Sequence, residues 1–335
     1  MSVRIILNLI KDRFRLWVPK RAWYSLARVK KLFIRRDFSE LVKTNSSEEH
    51  PLFFVIRREP PGAGLFSNLN HVLQGLREAE IRGLIPVVDM QNYWTSYSIP
   101  KIVNGSRNAW EYFFDQPTKY SLDSAYSSRR YVLSRGNRIG EGHWLTQKSL
   151  EFALDSEKIV ELNRVLTKYF RFNSFTKSSL AFVKSKIEWN PQECLGVSLR
   201  GTDYLQIQPQ GHPRQPNIEV VLKEIDEALD KQEFKSIFLA CEDPEIRNAI
   251  EKRFSRYIIK NFREMEFFKD YISSQLILSK RNSEIIKNTL GYLIEIILFS
   301  ECRSCVTSLA NGSVIGLALN GDRFVDKKIM TTGVY

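Results

Sequence analysis

Gly196-Val197-Ser198-Leu199-Arg200-Gly201-Thr202-Asp203-Tyr204 is the stretch on which the fold turns. Leu195, Val197 and Leu199 alternate with small or polar residues after the loop-type Asn190-Pro191-Gln192-Glu193, the pattern of a short, largely buried strand. The strand runs straight into an arginine, a glycine, a hydroxyl and a carboxylate at four consecutive positions. Such an ending presents polar groups at the carboxyl edge of a sheet, where open α/β folds bind ligands. A guanidinium there suits phosphate, because its planar fork makes two parallel charge-assisted bonds. The same residues also fit an exposed strand end on which Arg200 merely pairs with Asp203. The stretch by itself accommodates both readings.

Working outward, strand and helix patterns alternate. Leu52–Ile56 reads as a buried strand, Arg57–Gly64 as a sharp loop and Phe66–Glu80 as a helix, with Gly83 at its C-terminal turn and a strand at Leu84–Asp89. Two helices, Ser156–Phe170 and Ser174–Trp189, lead into the Gly196 strand. Beyond it, Tyr204–Pro216 is a 13-residue loop with three prolines that carries His212 and Arg214. A helix at Ile218–Gln232 and a strand at Ser236–Cys241 follow; that strand ends on Glu242 and Asp243, with Pro244 at a favoured first helical position. Tyr257–Ile259 is a further strand. The last unit is a helix at Thr289–Ser300 with one carboxylate, Glu295, in an apolar setting, a strand at Ser304–Ser308, a turn through Asn311-Gly312-Ser313 and a helix at Val314–Leu319. Alternation of this kind predicts an α/β fold with parallel sheets. We place a basic segment at 1–48, one domain at 49–175 and a second at 176–335.

Two helix starts follow glycine or small-residue turns, at Gly64-Leu65-Phe66-Ser67-Asn68 and at Ser308–Ser313. Backbone N–H groups at such starts suit a phosphate. Neither is a Walker motif nor G-x-G-x-x-G, and the missing P-loop argues against a kinase. Asn92–Phe114 is rich in aromatics, which suit sugar faces or, for most of these rings, simply fill a core; Glu111 is an acidic candidate among them. Tyr120–Trp144 reads as irregular and basic, a loop able to cover an anionic group.

Val197-Ser198-Leu199-Arg200-Gly201-Thr202-Asp203 resembles the His-x-Arg-Arg-x-Asp signature of the fucosyltransferase superfamily, the α1,2-, α1,6- and protein O-fucosyltransferases. Ser198 stands where histidine is usual and Gly201 where a second arginine is usual. The resemblance runs through the order of elements over roughly residues 52–320 and is specific at 196–204, 239–244 and 305–313. It implies a GT-B fold, two Rossmann-like domains with parallel sheets facing a cleft, with a GDP-sugar donor such as GDP-fucose in the second domain. On that pattern Arg200, Gly201, Thr202, Glu242, Asp243, Glu295, Ser308, Asn311, Gly312 and Ser313 hold the donor. Gly64, Ser67, Asn68, Glu111 and Arg214 lie on the acceptor side. Asp203, His71 and His212 compete as the base of an inverting transfer. No Asp-x-Asp flanked by strand residues occurs, so a metal-independent site with no resident cofactor is expected. The implied setting is bacterial capsule or lipopolysaccharide synthesis on a glycan or lipid-linked oligosaccharide acceptor. Two other readings stay open: a non-catalytic carbohydrate- or nucleotide-binding protein of this fold, and a transferase using another nucleotide sugar.

The 335 residues carry a net charge of +12, and the first 50 hold 12 Lys/Arg against 5 Asp/Glu. A charge so local argues against a general nucleic-acid coat and for one basic segment. Within residues 1–36, Ile6, Leu9, Ile10, Phe14 and Trp17 fall on one side of a helix, with Arg4, Lys11 and Arg15 elsewhere. The segment lacks the apolar run a membrane span needs and matches a signal peptide poorly. It fits either a solvated helix packed on the body or a helix lying on an anionic membrane surface, the reading we favour. Four cysteines in so long a chain make no disulfide framework, which points to a reducing, cytoplasmic compartment. Cys302-x-x-Cys305 lacks a second pair or a nearby histidine and reads as core. Deleting residues 1–45 is expected to leave a folded domain that sediments less with anionic vesicles; equal sedimentation of the full-length and truncated chains would contradict the membrane reading.

Overall fold

The computed structural model describes residues 51–58, 63–93, 95–128, 130–134, 148–276 and 278–335, and of Thr202 and Asp203 the backbone alone. The basic segment 1–48 and residues 135–147 lie outside these.

Two separate parallel sheets form. The first has three strands, β1 (Phe53–Ile56), β2 (Ile85–Val88) and β3 (Tyr131–Leu133), in the order β2-β1-β3. All four residues of β1 are buried, which is why it reads as an unbroken apolar run. Helix α1 (Leu65–Ile81) joins β1 to β2 and ends where Gly83 takes φ +63. It lies tight on β1, since a Cβ at Gly75 would come within 2.7 Å of Ile56. Helix α2 (Leu122–Ser127) precedes β3.

Helices α3 (Ser156–Tyr169) and α4 (Ser174–Lys186) lead to the second sheet: β4 (Cys194–Leu199), β5 (Ser236–Cys241), β6 (Ile258–Lys260), β7 (Ser304–Ser308) and β8 (Lys327–Met330). Their order is β6-β5-β4-β7-β8. The chain starts in the middle, lays two strands to one side, then crosses to the other. That is the doubly wound Rossmann order, with the topological switch between β4 and β7. Along β4 the alternation sorts the two faces. Leu195, Val197 and Leu199 pack with Val221 and Ile225 of α6 (Ile218–Lys231) and Ile250 of α7 (Pro244–Arg253). Gly196 faces the other side, where a Cβ would meet Cys302 at 3.0 Å.

The remaining helices are α5 (Thr202–Ile207), α8 (Glu266–Gln275), α9 (Lys280–Glu301) and α10 (Asn311–Asn320). Helix α10 is buried on nearly every side and packs against α9, α1 and α3. Helix α3, expected to belong wholly to the first domain, in fact ties to both halves. Its Asn163 donates to the Ala318 carbonyl (2.9 Å), while Glu161 pairs with Arg77 of α1 (2.6 Å).

Several expectations need correction. Residues 120–144 are not wholly irregular, because Ser121 caps α2 through the Ser124 N–H and Tyr131 and Val132 are buried in a third strand too short to show a period. The expected 204–216 loop begins inside α5 and leaves it through Gln208 at φ +46. The helix expected from Thr289 starts at Lys280, its polar first turns burying only Ser283 and Ile286. The helix expected from Val314 starts at Asn311. All four cysteines are buried and free, so Cys302 and Cys305 are core residues as expected.

Glu295 of α9 is buried, with Oε1 3.3 Å from Arg263 Nε and no hydrogen-bond partner for Oε2. One long contact does not offset lost hydration, and burial pushes its pKa up to about 7. Unfolded, the group ionises near pH 4.5. Its penalty is therefore absent below that value and grows as pH rises through about 7. Compared with Glu295→Gln, the unmodified protein is expected to lose melting temperature between about pH 5 and 8, by the equivalent of at most about 3 kcal/mol. Parallel curves would mean that Arg263 keeps the carboxylate ionised throughout.

Candidate active site

Parallel strands put all their carboxyl ends on one edge, so the residues after β4, β5, β6 and β7 gather there. Arg200 leaves β4 and Glu242 leaves β5; Arg200 Nε lies 3.4 Å from Glu242 Oε1, which also accepts the Gly201 N–H at 3.0 Å. The carboxylate shown against Arg200 is thus Glu242, one strand over. Asp243 faces differently: its Oδ1 caps α7 through the N–H groups of Glu245 (2.9 Å) and Ile246 (3.2 Å). It also explains Gly201, where a Cβ would sit 2.4 Å from Asp243 Cβ, a clash no side chain could relieve.

Two residues that sequence reasoning missed extend this edge. Arg263 follows β6, and Tyr292 of α9 lies between the two arginines, its ring centroid 5.6 Å from the Arg200 guanidinium and 5.7 Å from that of Arg263. Burial pushes the Tyr292 phenol well above the usual tyrosine range. A Cβ at Gly312 would come within 2.3 Å of the Tyr292 hydroxyl, so the first turn of α10 needs glycine. Glu295 reaches this edge through Arg263.

Across the switch point, β7 hands over to α10. Ser313 Oγ accepts the Ala310 N–H (2.9 Å) and donates to the Ser308 carbonyl (2.6 Å). Ser308 donates to Gln215 Oε1 at 2.6 Å, and Gln215 Nε2 returns to the Leu309 carbonyl at 3.1 Å. Both hydroxyls therefore shape the turn. Ala310, at the N-cap, offers no side-chain acceptor, so the first-turn N–H groups of α10 are available to an anion as helix starts generally are.

The first domain meets this edge through Asn70, whose Nδ2 donates to Asn311 Oδ1 at 2.7 Å, and through Phe66, 4.5 Å from the Tyr292 ring. Because α1 and α10 each start at a strand's carboxyl end, these contacts bring the two carboxyl edges together. Gly64 begins α1 without a side-chain cap. Arg58 donates to Ser67 Oγ (2.8 Å) and Asn68 Oδ1 (3.3 Å), and Asn68 Nδ2 to the Ala63 carbonyl (2.7 Å). Arg58 was also missed; its signal is an arginine just past a buried strand, the same signal that exposes Arg200.

The three candidate bases fare differently. His71 is buried, and its Nε2 lies 2.9 Å from the Arg57 carbonyl, so that nitrogen carries the proton. Burial pulls its pKa to about 4. His212 sits with Nδ1 3.3 Å from the Tyr204 hydroxyl; burial and Lys148 hold it below the usual histidine range. For Asp203 the backbone places the residue in the first turn of α5. Glu111 accepts from Gln116 (2.6 Å) and Ser106 (2.5 Å), organising the loop beside β2. Tyr97, Trp110, Tyr112, Phe113 and Phe114 are core residues, as expected for most of that aromatic stretch. Arg214 is exposed, 5.9 Å above the Tyr335 ring. Among the described residues no group of three or more His, Cys, Asp or Glu could hold a metal ion, and no helix is long and apolar enough to cross a membrane.

No protein-family model matches this chain, and no curated protein does. Among solved structures, the chain is similar to a NodZ alpha-1,6-fucosyltransferase soaked with GDP-fucose, at 12% identity over 81% of this chain and 93% of that one, with a TM-score of 0.46. It is similar to fucosyltransferase NodZ from Bradyrhizobium at 12% identity over 76% and 88%, with a TM-score of 0.42. It is also similar to POFUT1 in complex with GDP at 10% identity over 85% and 99%, with a TM-score of 0.45.

Proposed function

We propose that this chain is a GT-B glycosyltransferase that takes a GDP-sugar, GDP-fucose in the reading we favour, and transfers the sugar with inversion. The observation that carries this is the switch point itself. Arg200 at the end of β4 and the uncapped start of α10 after β7 flank it, the two kinds of group that bind a diphosphate. The motif resemblance at 196–204 supplies the donor class. In the reaction an acceptor hydroxyl attacks the anomeric carbon, the bond to the β-phosphate oxygen breaks, GDP leaves and a base takes the hydroxyl proton. Arg200 and the α10 N–H groups stabilise the charge developing on the leaving diphosphate. His71 is poorly suited as the base, because its ring is buried and neutral with Nε2 on a carbonyl; Asp203 and His212 are the remaining candidates. The acceptor, a glycan or lipid-linked oligosaccharide in capsule or lipopolysaccharide synthesis, approaches from the Gly64–Asn68 side.

Ser198 and Gly201, which stand where the resembled signature has histidine and a second arginine, favour a second reading, nucleotide binding without transfer. Release of free sugar from the donor would support the enzyme, and tight GDP binding with no turnover of any nucleotide sugar would support the binding protein.

Arg200→Ala is expected to lower GDP affinity at least about tenfold, since a charge-assisted bond to phosphate contributes roughly 1.5–3 kcal/mol. Arg200→Lys should recover only part, because a point charge does not reproduce the fork. An Arg200 that served only as a part-exposed partner for Glu242 would instead change melting temperature slightly and leave GDP affinity alone. That result would remove the main support for the transferase. Turnover is further expected to survive EDTA; loss on chelation restored by manganese or magnesium would overturn the metal-independent site.

A further inference from the structure

The segment Thr331–Tyr335 is tied along the loop after α5. Gly211 N–H donates to the Tyr335 carbonyl and Tyr335 N–H to the His212 carbonyl, both at 3.0 Å. Arg214 N–H donates to the Gly333 carbonyl (2.9 Å) and Thr332 Oγ1 to the Arg214 carbonyl (2.8 Å). Pro213 and Val334 form an antiparallel bridge, and the Arg214 guanidinium lies over the Tyr335 ring. Five residues thus make a short two-stranded clasp with a loop that sequence alone leaves without structure. The loop is fixed at its far end as well, by Gln215 to Ser308 and Leu309.

The clasp has a consequence at the strand edge. It holds His212 with Nδ1 3.3 Å from the Tyr204 hydroxyl and the two rings edge to face at 5.8 Å. Tyr204 is buried, and its ring centroid lies 6.0 Å from the Arg200 guanidinium, which has the Tyr292 ring at 5.6 Å as well. Arg200 is therefore held by two aromatic rings and Glu242. Tyr292 is fixed by the core, whereas Tyr204 stands on a helix of six residues whose last turn runs into the clasped loop. A guanidinium on a long flexible stem loses rotamer freedom when it binds, and a wall that orders it beforehand reduces that cost.

We infer that Thr331–Tyr335, His212 and Tyr204 are positioning elements that hold Arg200 ready for the diphosphate, His212 acting through Tyr204. A cavity of about 130 Å³, bordered by Glu151, Leu154, Pro213, Arg214, Met330 and Thr332, lies against the same clasp.

The inference rests on Arg200 binding the donor diphosphate, so the experiment measures that first. GDP affinity is titrated on the full chain, on Arg200→Ala, on His212→Ala, His212→Asn and Tyr204→Phe, and on a chain stopped after Met330. His212→Ala, Tyr204→Phe and the truncation are each expected to weaken GDP binding about three- to tenfold. His212→Asn, which can still hydrogen-bond the phenol, should recover most of the loss. In an Arg200→Ala background, His212→Ala and the truncation should cost nothing more, because their effect passes through the missing guanidinium. GDP affinity that does not depend on Arg200 would defeat the transferase reading itself. Arg200-dependent binding with unchanged affinity in the His212 and truncated forms, or with losses that multiply independently of Arg200, would defeat this inference alone.

Discussion

Helix α10 is the constraint on which the rest of the structure depends. Its residues Asn311–Asn320 lie between α9, α1 and α3, so they must be small or apolar nearly all round. Gly316 lets it approach α9, since a Cβ there would meet Phe299 at 2.6 Å. Gly312 makes the same allowance for Tyr292. With both glycines the helix sinks into the seam, and its first residue, Asn311, reaches Asn70 of the other half. The seam and the carboxyl edge are thus one feature: whatever packs α10 between the halves also sets where its start lies beside β4.

Arg200 shows how that edge balances charge. Its side chain is 24% exposed and that of Glu242 is 19% exposed, so the pair is only partly shielded from solvent. Glu242 is itself held by the Gly201 N–H, which fixes the carboxylate and through it the arginine. A pair in this state contributes little net stability, because desolvation offsets much of the attraction. What it provides is orientation of the guanidinium at the carboxyl edge of the sheet. Arg263 and Glu295 repeat the arrangement one strand further out, with the carboxylate buried, so that its pKa rises.

Much of this was legible in the sequence, for a physical reason. Buried parallel strands are near-continuous apolar runs, so β1, β4, β5 and β7 could be read almost to the residue, and the polar groups at their ends followed. The positions of Arg200, Glu242 and the Ser308–Ser313 turn at the strand ends could be read in this way. What escaped depends on contacts between distant segments. The three-residue β3 has no period to detect, and the polar start of α9 hides a helix whose buried face is Ser283 and Ile286. Tyr292 and Asn70 sit mid-helix among residues of similar type, and only the meeting of α1, α9 and α10 makes them part of the edge. His71 is the converse case. Placed beside an asparagine at a helix start it reads as a base, yet the tight contact of α1 with β1 buries it against the Arg57 carbonyl.

Helix starts show where the fold commits its side chains. Asp155, Asn173, Asn217 and Asp243 cap α3, α4, α6 and α7 with their own side-chain oxygens, satisfying N–H groups the helices leave unpaired. Helices α1 and α10 begin at Gly64 and Ala310, which bring no side-chain oxygen to their first turns. Want of a cap does not by itself mark a ligand site, since α8 and α9 also start at Met265 and Ser279 without one. The distinction lies in what precedes each start. α1 and α10 follow the carboxyl ends of strands beside a point where strand order reverses, and α8 and α9 do not. A side-chain cap at Ala310 would compete with a bound anion for the same N–H groups. No such cap stands at Ala310, and Arg200 lies across the switch point, as the proposed diphosphate site requires.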